Sequence, residues 1–217
     1  MSEPVQVKRP KILALALFGF AAAALALGAG LVDISMRRAD GPAIIAVDKA
    51  DLEAAIGDAP WISSGDTNGP VLWIITTPGC KPCRSFQQAQ MPRLLDAGVE
   101  VRALLVAPRS LPLGARDAKD VATLLKEQEW QPVELWLQGK REETNGEMEQ
   151  AEEDGLLEWS RQASEQISDV LERNDMKTGG LVLLWRHGVE WRAMVSGDQH
   201  GFSDVEVDLL KQLRSGA

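Results

Sequence analysis

The stretch Val71-Leu72-Trp73-Ile74-Ile75-Thr76-Thr77-Pro78-Gly79-Cys80-Lys81-Pro82-Cys83-Arg84-Ser85-Phe86 decides the fold. Val71 to Thr77 is an unbroken apolar and β-branched run, the pattern of a strand buried on both faces of a sheet. Pro78-Gly79 ends it, and a helical pattern follows from about Cys80 to Leu95, with Phe86, Ala89 and Leu94 expected to point inward. Pro92 should kink that helix or end its first part. Val99 to Val106 reads as the next strand. A strand–helix–strand unit implies parallel strands.

Outward from this unit the order is strand, helix, strand, helix, strand, then a helical stretch, two strands and a helix. Upstream, Ala43 to Val47 reads as a short edge strand, Lys49 to Ile56 as a helix, and Gly57 to Gly69 as a loop. Ala115 to Leu171 is mostly helical. Ala118, Val121, Ala122 and Leu125 share one helical face, as do Leu156, Trp159, Ala163, Ile167 and Val170. The acidic segment Lys140 to Gly155 reads as a solvated loop and helix start. Leu181 to Trp185 is a third buried strand. Arg186-His187-Gly188 turns it, and Glu190 to Val195 returns antiparallel. Ser203 and Glu206 stand at capping-box spacing at the start of a last helix that ends near Leu213. No internal repeat is visible.

The chain has 217 residues and a formal net charge of −9. Residues 1–40 hold five of its 23 Lys/Arg and three of its 32 Asp/Glu, which leaves residues 41–217 at −11. A domain this acidic is a poor partner for nucleic acid, whose phosphates need a basic surface. Solubility accounts for the charge without any special function.

Ile12 to Val32 is a run of apolar and small residues with no charge. As a helix it would measure about 31 Å, enough to cross a bilayer core. Lys8, Arg9 and Lys11 precede it, and Arg37 and Arg38 follow, a bias that keeps residues 1–11 in the cytoplasm. A cleaved signal peptide is the rival, but its apolar region is usually shorter, about 7–15 residues. The expected organisation is therefore a cytoplasmic N-terminus over 1–11, a transmembrane helix over 12–32 and a tether over 33–42. One domain over 43–217 follows, with a helical insertion at about 115–171. Either reading exports that domain, and a close cysteine pair meets disulfide chemistry outside the cytoplasm.

Cys80 and Cys83 are the only two cysteines. Placed at a helix start, Cys80 meets free backbone N–H groups and the positive end of the dipole. Lys81 and Arg84 add positive charge, so a lowered pKa and the role of attacking thiol are expected for Cys80. Cys83 lies one turn deeper, where it can resolve a mixed disulfide, and Pro82 fixes the backbone between the sulfurs. A structural disulfide, half a zinc site with His187 or His200, and a two-cysteine copper site are the alternatives. The strand–CxxC–helix setting favours redox chemistry over these.

On these residues, the sequence resembles the thioredoxin superfamily over about residues 43–214, with the strongest motif match in VLWIITTPGCKPCRSF. The helical stretch before the last hairpin is similar to the periplasmic disulfide-isomerase branch (DsbC- and DsbG-like proteins). The resemblance implies an α/β thioredoxin-like fold: a central mixed sheet flanked by helices, with an inserted helical segment. It implies dithiol–disulfide exchange on exported proteins, with Cys80 as nucleophile and Cys83 as resolving cysteine. No cofactor or metal is implied, and a membrane redox partner is compatible with the anchor. The place is then a bacterial inner membrane, the domain facing the periplasm.

The sequence departs from the family twice. Where the family has a cis-proline loop against the sulfurs, before the strand matching Leu181 to Trp185, it reads Thr178-Gly179-Gly180. Gly79 precedes Cys80, where thioredoxins carry Trp. The segment between the anchor and the first buried strand is also too short for the isomerases' dimerisation domain. A redox-inactive binding module on the same scaffold, or a copper metallochaperone using the Cys pair, are the other functions weighed.

Overall fold

The computed structural model describes residues 42–65, 68–107, 114–140, 148–196 and 201–215. The expected transmembrane helix over 12–32 and nearly all of the tether lie outside these residues. Among the described residues no helix is long and apolar enough to cross a membrane.

Six strands form one mixed sheet: β1 (Ala43–Ile44), β2 (Ile62–Ser63), β3 (Val71–Thr76), β4 (Glu100–Leu105), β5 (Leu181–His187) and β6 (Glu190–Ser196), in the order β1-β6-β5-β3-β4-β2. β3 and β4 are parallel, Val71 level with Glu100 and Thr76 with Leu105. β5 runs antiparallel to β3, with Ile75 opposite Val182. β5 and β6 form a hairpin that closes with His187 opposite Glu190. Seven helices flank the sheet among the described residues: α1 (Lys49–Asp58), α2 (Lys81–Ala89), α3 (Met91–Asp96), α4 (Gly114–Glu127), α5 (Trp130–Leu137), α6 (Gln150–Arg173) and α7 (Phe202–Ser215).

The two-residue side-chain period of β3 splits the core into two layers. Leu72 and Ile74 point to one face, where they join Phe86, Leu94, Val121, Val133 and Phe202. Trp73 and Ile75 point to the other, against Leu52 and Ile56 of α1 and Ala163, Ile167 and Val170 of α6. Both faces being covered explains why β3 carries no polar alternation. Phe86 of α2 and Phe202 of α7 meet edge to face at 5.2 Å, which fixes the helix carrying the cysteines against the end of the chain.

Several details differ from the expectations above. Ile62–Ser63 is a strand inside the stretch expected to be a loop; it pairs antiparallel with β4, Ile62 opposite Ala103. The helical pattern from Cys80 to Leu95 is broken into two helices, as Pro92 leads one to expect, and α3 starts with Pro92 in its first turn, where the missing N–H costs nothing. Ala89 is exposed, and Gln87 is buried in its place. Trp159 is 47% exposed because its indole N–H reaches out to the Asp58 carbonyl at 2.7 Å. The strand β5 continues to His187, so the turn is Gly188-Val189. The last helix begins at Phe202, ahead of Ser203, and Glu206 is paired with Arg93 at 3.0 Å instead of closing a capping box.

Candidate functional site

The C-terminal end of β3 hands the chain to α2 through a four-residue turn. The Cys80 N–H donates to the Thr77 carbonyl at 3.2 Å. Pro78 takes the second position of this turn and Gly79 the third, at φ 74. That is the type II pattern, in which Pro presets the first corner and the second requires a left-handed residue. The same φ accounts for glycine at this position, since a side chain resists that conformation.

Cys80 is the N-cap of α2, one position outside the helix. Its Sγ accepts the backbone N–H of Cys83 at 3.2 Å. An N-cap acceptor satisfies one of the orphan donors of the first helical turn. Pro82 falls at a position whose N–H would be unpaired in any case. One turn in, Cys83 points into the core and is 4% exposed, whereas Cys80 is half-buried. The two sulfurs are joined as a disulfide, with the Cα atoms 5.3 Å apart. The sequence-predicted pair is thus brought together at the mouth of a helix, with the outer sulfur partly open to solvent and the inner one shielded.

A pocket of about 160 Å³ opens beside the disulfide. One wall is the turn from Thr76 to Cys80, with Cys83 and Arg84. The opposite wall comes from the end of α5: Trp136, Leu137 and the following Gly139. Thr76 is buried, and its hydroxyl has no hydrogen-bond partner among the described residues. Arg84 lies across Gly139, its Nη1 3.7 Å from where a side chain at 139 would begin. Gly139 itself sits at φ 75 as the helix ends. Lys81 is exposed on the first turn of α2.

Trp136, Leu137 and Gly139 were not singled out from the sequence. They lie more than fifty residues beyond the cysteines, and only the packing of α5 brings them to the site. Thr178, Gly179 and Gly180 do not line the pocket. The Thr178 hydroxyl donates to Glu172 at 2.8 Å. Extending the β3–β5 register by two places sets Gly180 opposite Thr77. Gly180 has φ 89, a conformation closed to proline, and the described residues contain no cis peptide.

No cluster of three or more His, Cys, Asp or Glu among the described residues could hold a metal ion. His187 stands at the far end of β5, six residues or roughly 20 Å along the strand from Leu181. There its Nδ1 lies 3.0 Å from Asp208. It is not a fellow ligand of the cysteines. His200 lies outside the described residues.

No protein-family model and no curated protein sequence matches the chain. Among solved structures it is similar to the catalytic domain of Proteus mirabilis ScsC, at 11% identity over 76% of this chain and 96% of that one, with a TM-score of 0.46. It is also similar to Proteus mirabilis ScsC in a compact conformation, at 15% identity over 94% of this chain and 98% of that one, with a TM-score of 0.45. Likenesses this distant assign no function.

Proposed function

We propose that the chain is a membrane-anchored thiol–disulfide oxidoreductase of the thioredoxin superfamily, acting on the disulfides of exported proteins. The observation that carries this reading is the Cys83 N–H aimed at the Sγ of Cys80 at 3.2 Å. In the reduced protein the same amide, with the dipole of α2, favours a thiolate on Cys80. The buried Cys83 remains a thiol until a substrate engages its neighbour.

The exchange then runs in two displacements. The Cys80 thiolate attacks one sulfur of a substrate disulfide; a Cys80–substrate bond forms and the other substrate sulfur leaves as a thiolate. Cys83 loses its proton and attacks the Sγ of Cys80, and the second substrate sulfur leaves. Two electrons pass to the substrate, and the protein ends as the Cys80–Cys83 disulfide seen in the structure. A dithiol donor, such as a membrane redox partner, restores the reduced form; the reverse sequence oxidises a substrate.

Insulin reduction driven by dithiothreitol tests the chemistry. The wild-type chain should accelerate it and Cys80→Ser should not; equal rates would leave a static disulfide on a binding scaffold. The anchored, periplasmic placement rests on the uncharged run from Ile12 to Val32 and its flanking bases. The full chain should remain in bacterial membranes through alkaline carbonate extraction, and its release would remove the anchor from the reading.

A further inference from the structure

The pocket beside the disulfide is asymmetric in charge. Among the described residues Arg84 is the one charged group in its wall, and Lys81 stands near it on the first turn of α2. Arg84 pairs with no carboxylate among the described residues, although the chain as a whole carries −9. By contrast, Arg93 pairs with Glu206, Arg102 with Glu100, Arg161 with Glu158 and Arg173 with Asp48. Arg84 instead lies over Gly139, with the half-buried Trp136 in the same wall. A planar guanidinium presents a fork of donors that matches a carboxylate, and the indole offers an apolar face beside it.

We propose that this pocket is a subsite for a carboxylate-bearing residue flanking the reacting cysteine of the substrate. Its acid is received by Arg84, and its aliphatic stem lies against Trp136. The inference rests on the exchange reaction proposed above and names the class of substrate that the site selects. It also explains what the inserted helix α5 contributes, namely the wall that the cysteine segment lacks.

Two synthetic cysteine peptides test it, each used as its symmetric disulfide. They differ only in carrying Glu or Lys beside the cysteine. Rates with the full chain in detergent are divided by the uncatalysed rate of each peptide with dithiothreitol, which removes the peptides' own reactivity. Wild type should favour the Glu peptide by about fivefold in kcat/KM, the scale of one partly exposed ion pair. The difference should lie in KM. Arg84→Gln should bring the ratio near one, and Arg84→Glu should invert it. Trp136→Ala should raise KM for both peptides and leave the ratio in place. A wild-type ratio of one, or a ratio unmoved in Arg84→Glu, overturns the subsite. Activity that survives in Cys80→Ser overturns the exchange reaction instead, so the two failures are separable.

Discussion

Gly79 illustrates how much of the site one residue can hold. Its φ of 74 closes the turn that lifts Cys80 off the end of β3, and nothing lies within 4 Å of where a Cβ would be. Space is therefore not the obstacle to a side chain; backbone conformation is. Gly79→Ala should cost about 1–2 kcal/mol of stability. Denaturant unfolding of the oxidised protein measures this, and an unchanged midpoint would mean that the turn relaxes freely. The cysteines could be read from the sequence because their spacing and their place between a strand and a helix are local facts. The role of glycine as the third corner of a type II turn was equally local, written in Thr77-Pro78-Gly79-Cys80, but it emerges only once the Cys80 N–H is seen to close on Thr77.

At the scale of elements, legibility followed burial. β3, β4 and β5 are covered on both faces and read as apolar runs, so their existence and order were plain from the sequence. β2 has two residues and exists because β4 offers it an edge, a circumstance that no local pattern records. Periodicity placed Ile167 and Val170 of α6 correctly in the core but also enlisted Trp159, whose indole N–H serves a carbonyl of α1 at the surface. Ser203 and Glu206 had the right spacing for a capping box, yet Arg93 of α3 claims the glutamate. The far wall of the pocket was out of reach for a similar reason. Trp136 and Gly139 belong to a helix and its end whose own pattern says only that Val133 and Leu137 are buried.

For the molecule as a whole, the question is whether the disulfide is a reagent or a staple. It joins residues three apart in the chain, so the ring that it closes is small. On the chain-entropy account such a ring stabilises the fold by about 2 kcal/mol. Two apolar layers on a six-stranded sheet do not depend on it. The reduced protein should keep its near-ultraviolet circular dichroism. It should also unfold cooperatively, with a Tm lowered by no more than about 4–8 °C. Thermal melts with and without reductant check this. Loss of the cooperative transition on reduction would identify a structural bond and count against exchange.

The wall that α5 lends to the sulfurs has a consequence for how such a protein can change. The reacting atoms are tied to the central sheet, while the surface opposite them comes from a separate stretch of chain. On the exchange reaction and subsite proposed above, reshaping that stretch would alter which peptides are accepted without retuning the sulfur chemistry. Conversely, a lesion confined to α5 would be expected to spare any reduction of small disulfides while abolishing the preference among peptides.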